Sequence, residues 1–393
     1  FLITTKLKTI GIKFMKNILT KFRNKITGFF YIKIFKPVAF KRDPEDVHNT
    51  ILNIGKILGN NFITRIFVNL VFNYQNPILS QNLFNINFKN PLGLSAGFDK
   101  NAELTQIMPN VGFGFMEIGS ITGNPCKGNP RPRLWRMLRS KSLMVWYGLK
   151  NDGCEEISKR LLNKKFKIPV GISVAKTNCP ETVDMANGIA DYIKAAKTFR
   201  DADIGDYFTI NISCPNAYGG QPFTDPDSLE FLLTEFDKLQ IKKPVFLKLT
   251  PDLPFKMVDK IIETSKNHNI QGFVCANLTK KRENPKIIKE DLEGIPEGIG
   301  GMSGKPAEET ANNLISYIYK TTCGKYIIIG CGGIFSAEDA YKKIKDGASL
   351  LQMITGMIFQ GPQIISEINR ELAELIKKDG YKNISEAVGK NLK

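Results

Sequence analysis

Eight short runs of apolar, largely β-branched residues recur at 91–97, 114–120, 168–174, 207–213, 244–250, 272–278, 326–333 and 349–355, separated by stretches with helical periodicity. Few architectures accept that alternation. It calls for a parallel sheet covered by helices, either doubly wound or closed into a (β/α)8 TIM barrel. The count of eight favours the barrel. So do the polar residues and glycines at the carboxyl ends of the runs: Asp99 and Lys100, Ser120, Lys176, Asn211, Lys248, Asn277, Gly332 and Gly333, Thr355. A barrel gathers its active site from those ends. A chain of 393 residues, 42% of them apolar, suffices for one such barrel, expected over 77–393, and a smaller accessory element. Residues 83–90 are expected to form a hairpin that closes the barrel bottom.

The formal net charge of +17 is concentrated ahead of the barrel, where residues 1–42 hold eleven Lys or Arg and no Asp or Glu. Between them stand Phe14, Ile18, Leu19, Phe22, Phe29 and Phe30. Basic residues interleaved with bulky apolar ones suit an amphipathic helix on an anionic membrane surface. A targeting segment or a solvated basic tail would share this composition. No nucleic-acid motif accompanies the charge, so nucleic acid is not an expected partner. No apolar run approaches the ~18–20 residues of a spanning helix. Residues 43–76 read as a small helical unit. Asp43-Pro44-Glu45 puts acids at the positive end of a helix dipole, and Val47, Ile51, Ile54 and Leu58 share one face. Gly59 suits the end of that helix, and a second covers about 62–72.

Seven cysteines without a CxxC pair, and only two histidines, argue against a zinc site or a disulfide framework; no metal is expected. Gly330-Cys331-Gly332-Gly333 follows the seventh run and Thr355-Gly356 leaves the eighth. Glycines there let backbone N–H groups approach a phosphate, and barrels bind phosphate in those two loops. Lys248 lies inside the apolar fifth run, a costly place for a cation unless it meets an anion such as a reduced flavin. Asn211-Ile212-Ser213-Cys214-Pro215-Asn216 ends the fourth run. Its asparagines offer donor and acceptor together, as the edge of a pyrimidine requires. Cys214 has a lower reference pKa than a serine and is the more available base.

Ala96-Gly97-Phe98-Asp99-Lys100 resembles the first-strand signature of the dihydroorotate dehydrogenases. Residues 128–133 (Gly-Asn-Pro-Arg-Pro-Arg) and Tyr147-Gly148-Leu149 resemble the loop after the second strand in the membrane-associated, quinone-dependent class two. Residues 211–216, 300–306 and 329–333 are similar to later motifs of the family. The helical unit with Asp43-Pro44-Glu45 and His48 resembles the class-two quinone-access domain. The likeness runs from about residue 36 to the end.

The resemblance implies FMN contacts at Ala96, Gly97, Ser120, Asn211, Lys248, Gly304, Gly333 and Thr355, and orotate contacts at Lys100, Asn211, Asn216 and Asn277. It implies that His48 and Arg136 line a quinone tunnel. The implied reaction oxidises dihydroorotate to orotate in pyrimidine biosynthesis. Cys214 takes the C5 proton, FMN accepts hydride, Lys248 stabilises the reduced flavin, and a membrane quinone reoxidises it. The barrel alone is expected to hold the complete flavin and substrate constellation. The enzyme would sit on the cytoplasmic face of a bacterial membrane or on the mitochondrial inner membrane. Four positions depart from the class-two pattern: Cys214 replaces a serine, Val145 and Ser173 replace asparagines, and Leu278 replaces a threonine. They leave two alternatives open. One is a related FMN barrel using another pyrimidine or a soluble acceptor such as fumarate. The other is a non-redox phosphate-binding barrel tethered to a membrane.

Overall fold

A computed structural model describes residues 2–392, with the side chains of residues 2–14 and Lys16 outside the description. Phe14 therefore lies outside the described side chains. Eight parallel strands close into a barrel: Leu92–Leu94, Phe115–Ile121, Val170–Val174, Tyr207–Asn211, Val245–Leu249, Gly272–Cys275, Ile327–Cys331 and Leu350–Met353. Each falls within one of the eight expected runs or overruns it by a single residue. The flanking helices begin where short polar side chains meet free backbone N–H groups. Asp184, Asp225 and Ser336 accept from Asn187, Ser228 and Asp339 respectively.

Alternation along the strands sorts the barrel interior by height. At the bottom Phe115, Tyr207, Phe246, Val274, Ile329 and Leu350 form an apolar plug with Phe88. Phe88 comes from the expected hairpin, formed by Gln81–Leu83 and Ile86–Phe88. Small residues make room for the aromatic plug: a Cβ on Gly93 would lie 2.5 Å from the Phe115 ring, and one on Gly171 would overlap the Tyr207 ring. One layer up, Glu117 accepts from Thr209 (2.9 Å) and Gln352 (3.0 Å). Above that, at the carboxyl ends, stand Asn211 and Lys248, opposite one another in register.

The amino-terminal segment packs onto the barrel. Helix Leu2–Phe30 runs on through Tyr31–Phe35 to Lys36–Ala39. Arg23 ties it down, donating to Ser366 (2.6 Å) and to the carbonyls of Leu70 (2.9 Å) and Asn73 (3.0 Å). The Tyr31 hydroxyl donates to the Ile358 carbonyl (2.7 Å). Helices Pro44–Asn60 and Phe62–Phe72 follow as expected. The first is capped by Asp43, which accepts from the N–H groups of Glu45 and Asp46. Gly59 does not end it. The helix runs to Asn60, and Asn61 turns the chain while capping the next helix; Gly59 instead lets the backbone pass close to Ile107.

One element is absent from the sequence reading. Leu134–Met137, Ser142–Val145 and Gly301–Met302 form a three-stranded antiparallel sheet. Leu134, Leu143 and Val145 from this sheet line the cavity at the strand ends.

Candidate active site

Two adjoining cavities open at the carboxyl ends of the barrel strands. The first, of about 170 Å³, is lined by Lys100, Ser120, Asn211, Cys214, Asn216 and Asn277, among others. The second, of about 90 Å³, reaches between Gly304, Gly332, Gly333 and Gly356. Ala96, Lys248, Asn277, Ser303 and Thr355 face both. Gly97 borders the first with φ +103° and nothing within 4 Å of where its Cβ would stand. Only glycine adopts that backbone cheaply, and the space it leaves belongs to the cavity. Every barrel residue singled out for flavin or substrate is thus gathered at one place.

A continuous hydrogen-bonded chain orders the floor. The hydroxyls of Ser173 and Ser120 lie 2.8 Å apart, and Asn211 Nδ2 donates to Ser120 Oγ (2.8 Å). Asn211 Oδ1 accepts from Ser213 Oγ (3.0 Å), and Asn277 Nδ2 donates to Ser213 Oγ and O (both 3.0 Å). Ser173, a departure in sequence, is joined into this chain. Val145 acts through its backbone: its carbonyl accepts from Asn216 Nδ2 (2.9 Å). Among the described residues, Asn216 Oδ1 is then left as a buried acceptor without a partner, as are Tyr147 Oη and His48 Nε2 on the same cavity wall. Buried polar atoms of this kind cost free energy until a ligand satisfies them.

The charged groups are set by burial. Lys248 is 4% exposed and has no hydrogen-bond or ion-pair partner among the described residues. An unpaired buried ammonium facing both cavities fits an anionic or electron-accepting group there. Lys100 lies 4.0 Å from the centroid of the Tyr147 ring, and burial pulls its pKa down to about 7. Burial pushes the Cys214 thiol up to about 11. The advantage of a thiol over a hydroxyl is therefore smaller than its reference value implies. Asp99 and Lys176, also at strand ends, serve loops instead. Asp99 accepts from the N–H groups of Glu103 and Leu104 (both 2.8 Å), and Lys176 donates to the carbonyls of Thr182 (3.0 Å) and Tyr218 (2.7 Å).

A third cavity, of about 340 Å³ and almost wholly apolar, lies between the helical unit and the barrel. Tyr31, Phe35, Val47, Ile51, Leu58 and Phe72 form part of its wall. It shares His48, Phe98, Leu134, Leu143 and Ile358 with the 170 Å³ cavity. His48 packs edge-on against Phe98, and burial with the nearby Lys100 charge lowers its pKa to about 3, so the ring is neutral. Arg136 borders the apolar cavity and holds its rim, donating to the carbonyls of Arg42 (2.7 Å) and Phe40 (3.3 Å).

Sequence reasoning missed a cluster above the substrate-sized cavity. Glu45, 3% exposed, receives both Arg133 Nη2 (2.7 Å) and Nε (2.9 Å), with Arg131 at 3.3 Å and Lys150 at 3.4 Å. The barrel does not complete its own charge arrangement; a residue of the helical unit does. Glu45 reads in sequence only as a first-turn acid, because its cations lie some 90 residues away.

The family model described as dihydroorotate dehydrogenase matches residues 78–376. "Dihydroorotate dehydrogenase (quinone)" of Trichodesmium erythraeum is 34% identical over 375 residues, covering 91% of this chain and 98% of that protein. The protein of the same description from Sulfurimonas denitrificans is 37% identical over 367 residues, with coverages of 91% and 98%. A crystal structure of DHODH from Eimeria tenella in complex with ferulenol superposes with a TM-score of 0.77 at 27% identity, covering 89% of this chain and 96% of that one. The ligand-free structure from the same organism gives a TM-score of 0.79.

Proposed function

The chain belongs to the dihydroorotate dehydrogenase family, and on that premise we propose that it oxidises dihydroorotate to orotate with bound FMN and passes the electrons to a membrane quinone, as a step of pyrimidine biosynthesis. The observation that carries this reading is the shared wall. A polar cavity suited to a pyrimidine carboxylate meets an apolar one suited to a long hydrophobic molecule, with His48 and Phe98 between them.

Ala96, Gly97, Ser120, Asn211, Lys248, Gly304, Gly333 and Thr355 would hold FMN, which would supply the hydride acceptor. The protein supplies the rest. Lys100 pairs with the substrate carboxylate, and the orphaned Asn216 Oδ1 accepts from a ring N–H. Asn277 and Asn211 hold the opposite edge. Cys214 removes the C5 proton. Asn211 and Lys248 are buried and Lys100, Cys214, Asn216 and Asn277 half-buried, so a bound substrate would displace the remaining water and have its approach fixed by this set. The apolar cavity takes the quinone, with Arg136 at its rim and the neutral His48 at its inner end.

No helix among the described residues is long and apolar enough to cross a membrane. Attachment would be peripheral, through a face where Leu19, Phe22, Phe29, Ile57, Ile63 and Phe67 are all exposed. Lys21, Lys25 and Lys33 stand exposed beside them. Such a surface suits anionic lipid.

The test is anaerobic. Dihydroorotate should bleach the flavin, and a long-chain quinone should restore it faster than fumarate. Reoxidation by fumarate alone would favour the soluble-acceptor reading. Failure to bleach would remove dihydroorotate as the substrate.

A further inference from the structure

The cluster above the substrate cavity joins two parts of the molecule that the reaction would otherwise use separately. Glu45 comes from helix Pro44–Asn60, which also forms a wall of the apolar cavity. Its bidentate partner Arg133 is 6% exposed and donates its remaining nitrogen to the carbonyls of Asn129 (2.7 Å) and Lys127 (2.9 Å). The Arg133 guanidinium sits 5.3 Å from the Tyr147 centroid, and the Lys100 ammonium lies 4.0 Å from the same ring. Lys100, Tyr147 and Lys150 all line the substrate cavity.

The charges are lopsided. Lys100 and Lys150 line the cavity, and Arg131 and Arg133 join Lys150 around Glu45. Among the described residues, Glu45 is the one buried carboxylate ion-paired with this set; Asp43 and Asp46, which also reach Arg131, are largely exposed. His48 is neutral; Asp99 also favours the Lys100 ammonium, less than Glu45 does, and its oxygens accept from backbone N–H groups. Without Glu45, the half-buried cation that must meet the substrate carboxylate would face Lys150 and Arg133 with only the weaker influence of Asp99 against them.

We propose that Glu45 is a positioning residue of the substrate site: it fixes Arg133 and Tyr147 behind Lys100 and supplies the anion that lets Lys100 remain an ammonium where the substrate carboxylate arrives. The helical unit thereby serves substrate binding as well as quinone access. This rests on the reading of the cavity as the dihydroorotate site. Two physical effects support it. Glu45 itself is held ionised: burial opposes this, but the hydrogen bonds and charge of Arg133 outweigh it and bring the pKa down to about 2. On Lys100, burial is the largest influence and lowers its pKa; Glu45 is the next and raises it, Lys150 and Arg133 lower it further, and Asp99 raises it least of these.

Orotate binding to the flavin-loaded full chain, read as a change in flavin absorbance, tests this without involving quinone. Lys100 in the free protein titrates near 7, and the bound carboxylate raises it. Affinity should therefore be flat below about pH 7 and fall by at most ~tenfold per pH unit above it. Glu45→Gln should move that bend down by ~0.5–1 pH unit, so that orotate binds ~3–10-fold more weakly at pH 8. Below the bend the two proteins should bind comparably. An unmoved bend would overturn the proposal, because a helix that merely walls the quinone cavity has no effect on this profile. Glu45→Asp keeps the charge but draws it back by one methylene. Its bend should stay while affinity falls at every pH, and unchanged affinity would likewise overturn the proposal. If the unaltered chain shows no orotate response, the dihydroorotate reading itself fails instead.

Discussion

Cys214 and Lys248 face the same cavity with opposite demands on their environment. The thiol must give up its proton to act as a base, and burial resists this by raising its pKa to about 11. Flavin reduction by dihydroorotate should therefore climb with pH across the neutral and mildly alkaline range, following the small thiolate fraction. Cys214→Ala should keep the flavin absorbance and slow reduction by ~100-fold, the loss typical of a general base. Cys214→Ser should retain some activity with its pH dependence displaced upward, since a hydroxyl is the weaker acid. Stopped-flow traces showing near-unaltered reduction in the alanine variant would exclude the assignment. Lys248 has no partner among the described residues and lies beside the expected flavin. Lys248→Met should make the reduction potential of bound FMN more negative, because the ammonium favours the anionic reduced form. Spectroelectrochemical titration reads this directly, and an unchanged potential would leave Lys248 a rim cation.

At the level of elements, helix Pro44–Asn60 presents two different faces to the barrel. Val47, Ile51 and Leu58 wall the apolar cavity, while Glu45 turns to the cation cluster. Val47→Phe should narrow the cavity without touching the substrate side. Overpacking of this kind costs about 1–3 kcal/mol, and here it should appear as a raised KM for long-chain quinone with flavin reduction by dihydroorotate unchanged. Equal losses in both half-reactions would mean that the cavity is not the quinone path. The helix itself was legible, because Val47, Ile51, Ile54 and Leu58 recur at helical spacing and Asp43 caps it. The eight barrel strands were legible for the same reason: each is a short apolar run between turns. The sheet of Leu134–Met137, Ser142–Val145 and Gly301–Met302 was not. Its first two strands are short and lie four residues apart within a basic segment, and the third has only two residues, paired from more than 150 positions away.

For the whole molecule, the amino-terminal segment is part of the folded body as well as the proposed lipid-facing surface. Arg23, Tyr31 and Lys36 bond to the barrel, and Tyr31, Phe35 and Phe40 complete the apolar cavity. Deleting residues 1–42 should release the protein from vesicles containing anionic lipid and depress quinone reduction. Flavin reduction should survive, since Glu45 stays in place. Binding of the full chain should weaken as salt rises, because part of the attraction is screened charge. Co-sedimentation with vesicles checks both. Undiminished vesicle binding by the shortened protein would move the lipid contact elsewhere. A deeper deletion, through residue 76, would also remove Glu45 and should weaken orotate binding near neutral pH.

The sequence by itself determined the barrel, the capped helices and the polar residues at the strand ends. Period, composition and short motifs are local, and a closed barrel gathers its strand ends at one mouth. It also singled out Cys214, Lys248, Lys100 and the three asparagines, which the barrel brings to one cavity. Only the tertiary structure decided how those groups are tuned. Ser173 joins the floor through a hydroxyl pair, Val145 holds Asn216 by its backbone, and Glu45 reaches Arg133 across 88 positions of sequence. Desolvation and charge pairing depend on distance in space. No local pattern records which cation a first-turn glutamate will meet once the chain has closed around it.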